Sequence, residues 1–128
     1  MGLSTEHFSD RELACKCCGV NRMDAGFMSK VETLRSLYGK PIKLSRAYSC
    51  PKHNSEVSIT GLNGPHTTGH AIDVLVSGED VYTLLDMALT IGFTGIGINQ
   101  RGPHAQRFLH LDDLPNSVSA PRPRVWSY

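Results

Sequence analysis

Two side chains that bind divalent metals stand close together in the stretch Gly64-Pro65-His66-Thr67-Thr68-Gly69-His70-Ala71-Ile72-Asp73-Val74. A loop with glycines and a proline delivers His66, and the apolar run beyond it carries one acid, Asp73. A lone carboxylate in an apolar strand is costly unless it is paired or binds a metal. Neutral imidazole and carboxylate both ligate zinc, and a catalytic zinc takes three protein ligands while keeping a fourth position for water. A third ligand is available in Arg107-Phe108-Leu109-His110-Leu111-Asp112, where strand alternation sets His110 and Asp112 on one face. If that face meets Asp73, then His66, Asp73 and His110 converge on a metal.

The elements that must position these residues follow from capping and periodicity. Ser9-Asp10-Arg11-Glu12 has the capping-box form, so a short helix over about 10–14 ends before a cysteine knuckle at 15–19. Asp24 caps a second helix with the stripe Phe27, Met28, Val31, Leu34 and Leu37, closed by Gly39. Lys40-Pro41 breaks it, and alternation from Ile42 reads as a strand to about Tyr48. Residues 49–69 read as a long irregular loop with a helical turn near 52–57, a type of segment that is often functional. In it, His53 and Asn54 are expected to shape the loop through hydrogen bonds to backbone, and His70 to be an exposed histidine at the loop end.

Residues 71–76 form a buried strand, and Ser77-Gly78-Glu79-Asp80 opens a third helix with the stripe Val81, Leu84, Leu85, Ala88 and Leu89. A short strand at 95–98, a polar turn at 99–106 and a last strand at 107–112 follow. The tail 121–128 is expected to be extended and to pack through Trp126 at most. Helices first and then strands with an inserted helix predict an α+β fold: a small antiparallel sheet carries the zinc site, with helices packed on it. Gly69 and Ala71 are expected to let the chain pass close to the metal without bulk.

The 128 residues predict a single domain, 1–128, with one hydrophobic core. A 40% apolar and 20% charged composition is that of an ordinary globular protein. The net charge of +1 gives no bulk electrostatic reason for nucleic-acid or membrane binding, and a monomer is expected. No apolar run reaches the about 18 residues of a membrane span. The opening residues lack the basic start and apolar run of a secretory signal, so synthesis and initial residence in the cytoplasm are expected. Cys15, Cys17, Cys18 and Cys50 suit neither a dense disulfide scaffold nor a paired zinc ribbon. Reduced, partly buried thiols are the plain expectation; a shared structural zinc and a disulfide to Cys50 are the alternatives.

The chain resembles the zinc D-Ala-D-Ala carboxypeptidase family, in the branch that includes small phage and prophage cell-wall peptidases. His66, Gly69, Ala71 and Asp73 match the family's H-x-x-G-x-A-x-D. Phe108, His110 and Asp112 match the downstream strand pattern, and Cys50, Pro51, His53 and Asn54 match Cys-Pro-x-His-Asn. His7-Phe8 and the Cys-Lys-Cys-Cys-Gly knuckle resemble the branch's opening. The resemblance implies Zn2+ on His66, Asp73 and His110, and hydrolysis of a peptidoglycan stem peptide next to D-alanine by zinc-activated water. It implies action at the cell wall, reconciled with the missing export signal by release through a phage pore or carriage on a virion.

Catalysis would also need a base and a substrate clamp. Several branches carry an acid three residues before the last zinc histidine, where this chain has Arg107. His104 is the nearest candidate base, while Asp112 is expected to orient a zinc histidine or a substrate amine. The arginine that binds the substrate carboxylate in the family is replaced at its position by Ser49; Arg46, three residues earlier, can serve only if the strand bends. A serine expected two residues before the first zinc histidine is Gly64. These departures admit a second reading, a zinc-containing module that binds cell-wall peptide or a virion partner without cutting it. A nucleic-acid-binding reading of the cysteine knuckle is opposed by the neutral charge.

Overall fold

A computed structural model describes residues 2–128. Helix α1 (Asp10–Leu13) carries the reciprocal cap expected of its sequence, with Ser9 Oγ accepting from the Glu12 backbone and Glu12 accepting from the Ser9 backbone, both at 3.1 Å. Helix α2 (Ala25–Tyr38) starts on Asp24, whose carboxylate accepts from Phe27 N at 2.8 Å, and ends at Gly39 in the left-handed conformation. Phe27, Met28, Val31 and Leu34 are buried, but Leu37 is exposed, because the last turn of α2 outruns the core. Strand β1 (Lys43–Arg46) is shorter than expected and has a register irregularity between Leu44 and Arg46.

The expected irregular loop contains a full helix, α3 (Pro51–Val57), capped by Cys50 with Pro51 in its first turn. Short 3₁₀ turns at Gly61–Asn63 and Pro65–Thr68 lead into β2 (Ala71–Leu75). Helix α4 (Glu79–Ile91), β3 (Gly95–Asn99), a 3₁₀ turn at His104–Gln106 and β4 (Phe108–Asp112) follow. The tail departs from expectation: Arg124–Ser127 form a fifth strand, β5, instead of a loosely packed extension.

The sheet order is β1-β2-β4-β3-β5. All pairs are antiparallel except β3 with β5, which is parallel and therefore needs the crossover 113–123. One face of the sheet carries Ile72, Val74, Ile96, Leu109 and Leu111, which join residues of α2 and α4 in a single buried cluster. Each such fully buried aliphatic side chain contributes about 2 kcal/mol through removal of apolar surface from water. Alternation then forces Asp73, His110 and Asp112 onto the opposite face. The fold is α+β, with α2 and α4 packed on one side of the sheet and Asp73, His110 and Asp112 on the other. Among the described residues no helix is long and apolar enough to cross a membrane.

Candidate metal centre

The register lines up Arg46 on β1, Asp73 on β2, His110 on β4, Gly97 on β3 and Trp126 on β5 in one row across the sheet. His66 reaches this row from the 3₁₀ turn before β2. Gly69 joins turn to strand at φ 79°, a left-handed conformation that favours glycine. A Cβ there would collide with the Arg22 carbonyl, so the glycine answers to the neighbouring 22–24 segment rather than to the metal, as the sequence had suggested.

His66, Asp73 and His110 are all buried, and one ligand atom from each lies within 4.8 Å of the others. His66 Nδ1 lies 2.8 Å from the Ala47 carbonyl, which can only accept, so this nitrogen carries the proton and Nε2 presents a lone pair. His110 is held the other way round. Its Nε2 donates to Asp112 Oδ2 at 2.7 Å, leaving the Nδ1 lone pair free. Both lone pairs point at Asp73 Oδ1, from 3.2 Å and 3.1 Å. In the neutral rings no proton lies between these acceptors, and a cation resolves the opposition. A tetrahedral zinc with bonds of about 2.0–2.1 Å sets its ligand atoms about 3.4 Å apart, close to the spacing found. Two nitrogens and one carboxylate oxygen fit zinc better than the all-oxygen shells of calcium or magnesium.

Behind His110 stands a second layer of charge. Asp112 is fully buried and accepts from Arg122 Nε at 2.9 Å and Nη2 at 2.8 Å. A Cβ at Gly95 would occupy the place of this carboxylate, and one at Gly97 would come within 2.6 Å of the Trp126 indole. The glycines of β3 thus make room for Asp112 and for Trp126, whose ring lies 5.1 Å from that of His110. The Arg122 guanidinium in turn lies 5.2 Å from the Trp126 ring.

Without a metal, burial alone would raise the Asp73 carboxyl; were the two rings protonated instead of neutral, the charge of His66 and hydrogen bonds from both histidines would hold it well below the usual range. Burial likewise opposes a charged His110, and Asp112 and Asp73 outweigh it, raising that imidazole. Asp112 is brought to about 2 because His110 and Arg122 overcome its desolvation. Arg122 was not singled out by the sequence reading; its signal was that a second buried acid, Asp112, required a cation.

Arg46 and Ser49 meet despite their spacing, because the irregularity in β1 bends the chain. Arg46 Nη2 donates to Ser49 Oγ at 3.0 Å and to Asn54 Oδ1 at 2.9 Å, while its buried Nε has no partner among the described residues. Asn54 also donates to Thr60 Oγ1 and to the Gly61 carbonyl, shaping the loop as expected. A Cβ at Gly64 would strike Thr60 Oγ1, which accounts for glycine in place of serine.

The structure does not bring His104 to the metal ligands. It lines a shallow hollow with Tyr38, Lys40 and Asp80, on the turn that enters β4. Arg107 donates to the Gly102 carbonyl at 3.0 Å and is likewise spent on its own loop. His70 is half-buried rather than exposed: Nδ1 lies 2.8 Å from Asp113, which also pairs with Lys30 of α2.

A His/Asp/His set on the polar face of an antiparallel sheet, with each ring oriented from behind, offers the three-ligand donor set that a catalytic zinc takes. The family model described as Peptidase M15 matches residues 6–112, and the chain belongs to this family of zinc D-Ala-D-Ala carboxypeptidase type. It is a zinc metallopeptidase by membership. No curated protein matches the sequence. The family match ends at Asp112, so Arg122 and β5 lie outside it.

Proposed function

We propose that the protein hydrolyses a peptide bond in peptidoglycan stem peptides, next to D-alanine. The observation that carries this reading is the row across the sheet, in which lone pairs aimed at one point adjoin an arginine Nε without a partner. Zinc bound there would polarise the scissile carbonyl and lower the pKa of a water toward 7. His66, Asp73 and His110 would hold it, and Asp112 keeps His110 in the ligating tautomer. Arg46, already fixed by Ser49 and Asn54, is the cation of this row that would meet a substrate carboxylate, which its planar fork suits. A lysis enzyme or a virion-borne enzyme is the setting that fits such a substrate.

Asp112 is not the base in this reading. Its Oδ2 accepts from His110 and Arg122, and its Oδ1 accepts from Arg122 and the Leu114 backbone. This commitment favours a second reading, a zinc-containing module that binds the peptide uncut. Mass spectrometry of purified muropeptides after incubation with the zinc-loaded protein separates the two. The proposal expects shortened peptides at a defined bond, abolished by a chelator and restored by zinc. Intact muropeptides that nevertheless bind the protein would overturn it in favour of the module.

A further inference from the structure

Far from the sequence of the metal ligands, the four cysteines gather into one cluster. Every Sγ of Cys15, Cys17, Cys18 and Cys50 lies within 4.8 Å of the others. The Cys15–Cys17 separation is 3.8 Å and the Cys17–Cys50 separation is 3.4 Å. Four sulfurs around a zinc at bonds of about 2.3 Å would stand about 3.8 Å apart. Cys15 and Cys18 have the C-x-x-C spacing of a zinc knuckle.

The backbone is arranged for sulfur acceptors. Cys50 N donates to Cys15 Sγ at 3.3 Å, and His53 N donates to Cys50 Sγ at 3.4 Å. The knuckle is closed by Gly19 N donating to the Cys15 carbonyl at 2.9 Å and by Cys15 N donating to the Val20 carbonyl at 2.7 Å. Gly19 takes φ 76°, the left-handed conformation that the turn requires. A disulfide would engage only two of the four sulfurs and needs about 2.05 Å between them. All four are free thiols, and a tetrahedral cation uses every one.

We propose that Cys15, Cys17, Cys18 and Cys50 form a second metal site, a closed tetrathiolate that holds a structural zinc. Binding replaces the thiol protons, which are released to solvent. With four sulfur ligands no position remains for water, so the site is structural. Its place in the fold gives it a task. Tyr48 N donates to the Leu13 carbonyl and Ser49 N to the His66 carbonyl, both at 3.1 Å. A metal on Cys50 and the knuckle would clamp these two segments together, and with them the Ala47 carbonyl that orients His66.

The site stands whether or not the protein cuts peptide, and its test is separate from activity. Native mass spectrometry of the full chain, purified under reducing conditions, is expected to show one zinc more than the His/Asp/His centre accounts for. That zinc should persist in His66→Ala. Cobalt exchanged into the protein should give intense sulfur-to-metal absorption in the near ultraviolet, retained in His66→Ala and lost in the double variant Cys17→Ser, Cys50→Ser. If that variant fails to fold, the wild-type count and spectrum decide alone. A wild-type cobalt spectrum without thiolate absorption, or zinc lost entirely in His66→Ala, would overturn the proposal.

Discussion

The two histidines of the metal centre present their lone pairs to the same point but are held by different kinds of support. His66 leans on a backbone carbonyl, that of Ala47, which carries no net charge and cannot be removed by changing a side chain. His110 leans on a carboxylate, which leans on a guanidinium, which lies beside an indole in a strand beyond the family match. A backbone support is fixed once the fold forms. A side-chain relay has parts that can be exchanged, protonated or displaced, so the His110 side is where this centre can be tuned and where it can fail.

The largest break in this comparison is expected from Arg122→Met. It strips the buried Asp112 carboxylate of its guanidinium, leaving only His110 and the Leu114 backbone, at a cost of about 3–5 kcal/mol, measurable by denaturant unfolding. A loss below about 1 kcal/mol would mean that Arg122 is a bystander. Next, Asp112→Ala should weaken zinc binding roughly 10–100-fold in competition with a chelator. Ala47→Gly keeps its carbonyl, so zinc affinity should hold while stability drops by up to about 1 kcal/mol. Equal loss of affinity in both variants would erase the distinction between the two supports.

Acid sharpens the contrast further. The Asp112 carboxyl lies at about 2 in the folded protein, below its ordinary 3.8, so its contribution to stability is complete above 3.8 and is lost as pH falls toward 2. In metal-free protein the advantage of wild type over Asp112→Asn should shrink by about 2 kcal/mol across that window, read by denaturant unfolding at each pH. A gap that stays constant would show that Asp112 does not titrate there. The Ala47 carbonyl has no counterpart to this loss.

Much of the centre was legible because ligand chemistry is local and specific. The loop histidine, the acid in an apolar run and the period-2 pair His110 and Asp112 could be read from residue types and spacing. Helices α1, α2 and α4 were legible for the same reason, through their capping residues and apolar stripes. Helix α3 was read as a single turn because it buries only Asn54 and so has no stripe to show. The β5 strand was hidden by its brevity and by prolines and arginines around one tryptophan, a pattern that alternation cannot distinguish from an open tail. The meeting of Arg46 with Ser49 depends on an irregularity that no residue in β1 announces. His104 was chosen by nearness in sequence, and the turn before β4 carries it to a different hollow.

The parallel pairing of β5 with β3 bears on the order in which the molecule assembles. Strands joined through a crossover close later than neighbouring hairpins, because the loop entropy must be met before the contacts form. A chain with β1 to β4 in place and β5 undocked would already have sunk Asp112 beneath the sheet, yet without Arg122 beside it. Its carboxylate would then have only the His110 ring and the Leu114 backbone as partners. Docking of the final strand therefore brings in the guanidinium that completes the pairing of this buried acid.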